Sequence, residues 1–107
     1  LFAVAAELAA RSPTDPRTLT RAARDYAEKQ PAFALAAGLA ALRWISLGYG
    51  YDITGADVLD AYSAVTQAAE NAGLPTQQVN EQIREMIAST QPGNSLMKTI
   101  LARHLAN

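Results

Sequence analysis

Four residues near the middle of the chain carry side chains that suit recognition of a partner. Arg43 supplies a guanidinium, Tyr49 and Tyr51 supply amphipathic rings, and Asp52 supplies a carboxylate. Arginine and tyrosine are enriched among the residues that contribute most to binding at protein interfaces. Because the four cluster near one predicted helix end, they predict a partner-binding surface. The alternative is that both rings pack between helices and that Arg43 pairs with a nearby acid.

The remaining polar residues do not have the spacing that catalysis or metal binding requires. His104 is the single histidine, and neither an oriented nucleophile nor further ligands accompany it. Asp57 and Asp60 share a helix face, where helix capping and dipole stabilisation account for them. Gly48 and Gly50 lack the further glycines and the lysine of a phosphate-binding loop. We therefore expect a protein that is not an enzyme and that binds no metal or cofactor.

The overall composition favours a single all-α domain spanning residues 1–107. Half of the 107 residues are hydrophobic, many of them alanine, which favours helix. The formal charge of −1 gives no general attraction for nucleic acid or an anionic bilayer. The absence of cysteine excludes disulfides and thiolate zinc sites, and a cytoplasmic location is the default. Since the chain begins at Leu1 inside an apolar helical pattern, we expect a domain excised from a longer protein.

Proline, glycine and capping residues divide the chain into about six predicted helices. The segments run from about Leu1 to Arg11, from Pro16 to near Gln30, from Pro31 to Leu47, from Thr54 to Ala72, from Thr76 through Ile87, and from Asn94 or Ser95 through Leu105. The third is apolar on nearly every side, which predicts a buried central helix. It has transmembrane length, but Arg43 near its middle would cost about 2.5 to 3.5 kcal/mol, so we expect no membrane span.

The predicted helix boundaries follow from particular residues. Asp15 is expected to cap the second helix, and Thr54 with Asp57 forms a variant of the capping box at the fourth. Gly73 suits a left-handed terminator. The buried face of the fourth helix is predicted from apolar residues spaced by three and four: Val58, Tyr62, Val65, Ala69 and Ala72. Whether residues 48–51 continue the central helix stays open.

The spacing Trp-x2-Leu-Gly-x2-Tyr-x3-Gly of Trp44, Leu47, Gly48, Tyr51 and Gly55 resembles the first half of a tetratricopeptide repeat. The resemblance covers a single degenerate repeat, with no second copy at the expected period. It implies a right-handed array of antiparallel helix hairpins that acts as a protein-interaction or assembly module.

A longer segment, from about Pro31 to Ala72, resembles the carboxyl-terminal helical part of a bacterial protein family of unknown function. That resemblance implies helical repeats and a bacterial source, and it assigns no functional residues.

A helix-turn-helix that binds DNA through the region 66–87 is the alternative function. Ala69, Gly73, Leu74 and Val79 resemble its turn. The second helix of this motif would present mixed amides and charges: Gln77, Gln78, Asn80, Glu81, Arg84 and Glu85. The amides suit base recognition, while the acids oppose phosphate.

The leading hypothesis is a non-catalytic module that binds a protein or peptide through an exposed concave surface bearing Arg43, Tyr49, Tyr51 and Asp52. It stays open whether the chain forms a homo-oligomer and whether it is a structural segment of a larger protein.

Overall fold

The computed structural model describes residues 15–50, 52–88, 91–92 and 94–105, and all regular structure in these ranges is α-helical. The five helices are α1 (Pro16–Tyr26), α2 (Pro31–Ser46), α3 (Gly55–Asn71), α4 (Thr76–Ala88) and α5 (Asn94–Leu105). The all-α prediction is confirmed, while the predicted helix from Leu1 to Arg11 lies outside the described residues. In the part of the chain described, no helix has the length and apolar character needed to cross a membrane.

The start of α1 is fixed by the two residues that the sequence indicates. The Asp15 carboxylate accepts a hydrogen bond from the backbone N–H of Arg17 at 3.1 Å, and Pro16 occupies the first turn. The helix ends at Tyr26, earlier than the predicted end near Gln30. Gln30 precedes Pro31, whose ring disfavours helical backbone in the preceding residue. Gln30 accordingly takes φ −135° and ψ 66°.

The central position predicted for the third helix is confirmed by α2, which contacts each of the other four described helices. It ends at Ser46, and residues 48–50 do not continue it. Gly48 and Gly50 have φ of 93° and 104°, in the left-handed region that glycine enters at little steric cost. The helix therefore stops where the first of these glycines turns the chain.

Both ends of α3 confirm the capping predictions. Thr54 and Asp57 exchange the two hydrogen bonds of a capping box, and Gly73 has φ 77° just beyond the last turn. The prediction for Ala72 is wrong, because this residue forms the C-cap and is exposed. The other four predicted seam residues of α3 are buried.

The buried residues form two clusters that differ in side-chain size. The first, the alanine cluster, joins α1, α2 and α3 and consists of Ala23, Ala27, Ala34, Ala37, Ala64 and Ala68. The second, the large-residue cluster, extends to α4 and α5 and includes Leu42, Trp44, Val58, Val65, Ile83, Met97 and Leu101. At Gly38, α2 lies close against α3, since a Cβ atom there would lie 2.6 Å from Cγ2 of Val65.

Candidate functional site

The last turns of α2 and the loop after it build an aromatic cluster from Arg43, Trp44 and Tyr49. The Trp44 ring is buried, and Tyr49 lies edge-on to it with 5.2 Å between ring centroids. The Tyr49 N–H donates to the Trp44 carbonyl at 2.9 Å, which fixes the loop backbone against the helix. The Arg43 guanidinium lies 5.9 Å from the Trp44 ring centroid, within cation–π range. Tyr49 stays 45% exposed although its ring is held in place.

A groove of about 450 Å³ lies between the end of α2 and α4. Its lining, which defines the α2–α4 groove, is Arg43, Ser46, Leu47, Gln82, Glu85, Met86 and Gln91. Arg43 belongs to both the groove and the aromatic cluster. The groove therefore offers a cation, an anion, amides and apolar surface within one depression.

The structure brings together two of the four sequence candidates. Arg43 and Tyr49 both contact Trp44 and are exposed. Tyr51 lies outside the described residues. Asp52 is exposed, and its backbone carbonyl accepts a hydrogen bond from Arg17 Nη2 at 2.9 Å, which places it toward the start of α1. Asp52 does not line the α2–α4 groove.

Sequence reasoning missed the residues that α4 contributes to the groove. Gln82, Glu85 and Met86 are distant from Arg43 in sequence, and only the docking of α4 beside α2 brings them close. Trp44 could have been selected from the sequence, since it is the first residue of the repeat-like motif. That motif is typical of helix packing, however, and it does not indicate that the Trp44 ring contacts an exposed tyrosine.

The starts of α1 and α3 are joined by an ion pair that the sequence did not reveal. Arg17 donates from Nε and Nη2 to the two carboxylate oxygens of Asp57, at 3.1 and 3.0 Å. The Thr54 N–H donates to the same carboxylate at 2.9 Å. Burial raises the pKa of Asp57, but the hydrogen bonds from Thr54 and Arg17 outweigh it and leave the pKa below its ordinary value. Asp57 is thus an ionised structural group.

Two residues that would face DNA in the helix-turn-helix alternative instead form hydrogen bonds to the end of α5. Asn80 is buried, donates to the His104 carbonyl at 3.1 Å and accepts from the Tyr62 hydroxyl at 2.8 Å. Arg84 Nε donates to the Leu105 carbonyl at 2.7 Å. These bonds satisfy carbonyls that a helix end leaves without an intrahelical partner. The ring of the exposed His104 packs against the Tyr62 ring, with 5.0 Å between the centroids and 45° between the ring planes.

Neither a metal centre nor a known relative identifies the site. Within residues 15–50, 52–88, 91–92 and 94–105, no group of three or more His, Cys, Asp or Glu side chains is arranged to hold a metal ion. Comparison of the chain with protein-family models, curated protein sequences and solved structures found no match.

Proposed function

We propose that this chain is a non-catalytic helical module that binds a protein or peptide through the α2–α4 groove and the adjoining aromatic cluster. The observation that carries the proposal is the 45% exposure of Tyr49, whose ring is already fixed against Trp44. A large ring held in place before binding loses little conformational entropy when a partner covers it. The neighbouring Arg43 adds a charged group of the kind enriched in binding hot spots.

The chemistry of the groove indicates what kind of segment would fit. Leu47 and Met86 offer apolar surface, while Arg43 and Glu85 offer charges of opposite sign. An amphipathic helix or an extended peptide with one apolar anchor and flanking polar side chains would complement this lining. Specificity would come from the two charges, because a segment with the reverse charge order would place like charges together.

The tetratricopeptide-like arrangement of antiparallel hairpins in a right-handed array belongs to the same proposal. It is supported by the short connections between consecutive helices at 27–30, 47–54 and 72–75. Helical arrays of this type use extended surfaces to bind partners.

DNA binding through the region 66–87 is the second candidate. The exposed amides of Gln77 and Gln78 on α4 support it. The burial of Asn80 and the bond from Arg84 to Leu105 weigh against it, because these side chains already hold α5. Protein binding is therefore the preferred function.

The test is an affinity capture from lysate of the source cell, with and without nuclease. The baits are the wild-type chain, Tyr49→Ala, and the matched control Tyr26→Ala. Tyr26 is also an exposed tyrosine, 39% accessible, and lies edge-on to Phe33 at 5.5 Å. We expect a nuclease-resistant partner that Tyr49→Ala loses and Tyr26→Ala retains, with both variants folded by circular dichroism. Equal retention by Tyr49→Ala contradicts this site, and capture that requires nucleic acid favours the DNA-binding alternative.

A further inference from the structure

A small polar cavity of about 140 Å³ lies between α1 and α3, apart from the α2–α4 groove. Arg17, Arg21 and Arg24 line it from α1, where spacings of four and three residues place them on one helix face. Asp57 and Asp60 line it from α3, also three residues apart. Pockets for drug-sized ligands are about 300 to 1,000 Å³, so this cavity suits a single chemical group.

The charges around the cavity do not balance. Arg17 and Asp57 neutralise each other through two hydrogen bonds. Neither Arg21 nor Arg24 has a hydrogen-bond or ion-pair partner in the described part of the chain. Among the described residues that line the cavity, Asp60 is the one further carboxylate. Within that lining, two guanidinium groups therefore face one carboxylate, which is a surplus of one positive charge.

The Thr20 hydroxyl supplies a further polar group. Thr20 is only 7% exposed and lines the same cavity. Its hydroxyl has no hydrogen-bond partner among the described residues. Every side-chain nitrogen or oxygen atom cut off from solvent in those residues does have a partner. The hydroxyl must therefore keep some contact with solvent, and the cavity is an open space that Thr20 lines.

We propose that this cavity binds one carboxylate group, held by Arg21 and Arg24 with a hydrogen bond from the Thr20 hydroxyl. A guanidinium matches the geometry of a carboxylate and donates two parallel hydrogen bonds to it. The surplus of one positive charge matches a monoanion. A phosphate dianion would keep an unbalanced negative charge near Asp60. The cavity shares no lining residue with the α2–α4 groove, so this inference does not depend on the proposed function of the groove.

The direct test is an NMR titration of the arginine Nε–H signals with sodium acetate at pH 7, replacing sodium chloride at constant ionic strength. We expect saturable shifts at Arg21 and Arg24 and none at Arg103, an exposed arginine on α5. Non-saturable shifts, or equal shifts at all three arginines, would overturn the proposal.

Variants then assign the binding to individual groups. Arg24→Gln should weaken acetate binding about tenfold, the loss expected for one charge-assisted hydrogen bond. The charge-matched control Arg103→Gln should leave it unchanged. Thr20→Val keeps the side-chain shape and should weaken acetate binding by a smaller factor. Backbone NMR spectra of each variant serve as the control for folding. If Arg103→Gln weakened acetate binding as much as Arg24→Gln, the loss would come from net charge alone, and this result would refute the site.

Two further ligands distinguish the possible sources of the anion. A blocked peptide of four glutamates should compete with acetate for the same signals, which would identify an acidic side chain as an acceptable ligand. Acetate binding without peptide competition would restrict the cavity to free small carboxylic acids. Tighter binding of inorganic phosphate than of acetate would contradict the charge argument and the assignment to carboxylate.

Discussion

The alanine cluster and the large-residue cluster pack helices in opposite ways. In the alanine cluster, small side chains let α1, α2 and α3 approach closely, and at Gly38 nearby a Cβ atom would lie 2.6 Å from Cγ2 of Val65. Between α3, α4 and α5, larger side chains such as Ile83 and Leu101 fill the space, accompanied by the buried amides of Asn80 and Asn94. Added side-chain atoms would therefore clash in the region of the alanine cluster, whereas removed side-chain atoms would leave a cavity in the large-residue cluster. The two should therefore respond to opposite kinds of substitution.

The largest effect should come from truncation in the large-residue cluster. Leu101 is fully buried, and Leu101→Ala should lower the free energy of unfolding by about 3 kcal/mol through lost apolar burial and a residual cavity. The matched truncation in the alanine cluster, Ala37→Gly, removes one methyl group and should cost about 1 kcal/mol, mainly through helix propensity. Urea denaturation measures both values. Equal losses would contradict the distinction between the clusters.

The next effect should come from removing the buried amide of Asn80, which lies in the region of the large-residue cluster. Asn80→Ala leaves the Tyr62 hydroxyl and the His104 carbonyl without their partner and should cost about 2 kcal/mol. Tyr62→Phe removes one of the two bonds and should cost about 1 kcal/mol. A double-mutant cycle measured by chemical denaturation should give a coupling between the two residues. Additive losses would show that the hydrogen bond contributes nothing measurable.

A smaller effect is expected from enlargement in the tight interface. In Gly38→Ala, the new methyl group would meet Val65 Cγ2 at 2.6 Å, so the Val65 side chain or one of the two helices must shift. Overpacking costs about 1 to 3 kcal/mol and the gain in helix propensity is about 1, which leaves a net destabilisation of about 1 kcal/mol. The control Ala32→Gly, at an exposed position of the same helix, should destabilise by removing a methyl group. Thermal unfolding that shows Gly38→Ala to be stabilising would contradict the close approach.

The smallest effect concerns the ion pair between α1 and α3. Because Arg17 is 40% exposed, solvent screens it, and Arg17→Gln should cost less than about 1 kcal/mol at pH 7. The pKa of folded Asp57 lies below its ordinary value of 3.8, so this stabilisation is present above pH 3.8 and is lost as pH falls through the folded pKa. The stability difference between wild type and variant should therefore narrow on acidification, as measured by denaturation at several pH values. A difference that widens would contradict ionised Asp57 as the acceptor.

The sequence predicted the helices well because their boundaries depend on neighbouring residues. Asp15, Thr54 and Gly73 act within one turn of their own helix, so their roles can be inferred without tertiary structure. The end of α1 was misplaced because the effect of Pro31 on Gln30 competed with an otherwise continuous helical pattern.

The contacts between distant segments could not be predicted from local patterns. Arg17 and Asp57 are far apart in sequence, and neither capping rules nor apolar periodicity pairs them. The same holds for the α2–α4 groove, because Arg43 lies on α2 beside the repeat-like motif, whereas Glu85 lies on α4. Asn80 was assigned to an exposed recognition face because its amide is polar, whereas its two hydrogen bonds allow it to be buried.

The position of Trp44 gives the protein a built-in optical reporter. It is the single tryptophan of the chain, and its indole lies against both Tyr49 and the Arg43 guanidinium at the edge of the groove. A ligand that moves either neighbour changes the polarity and the charge around this one fluorophore. Emission from the unlabelled protein should therefore follow occupancy of the groove.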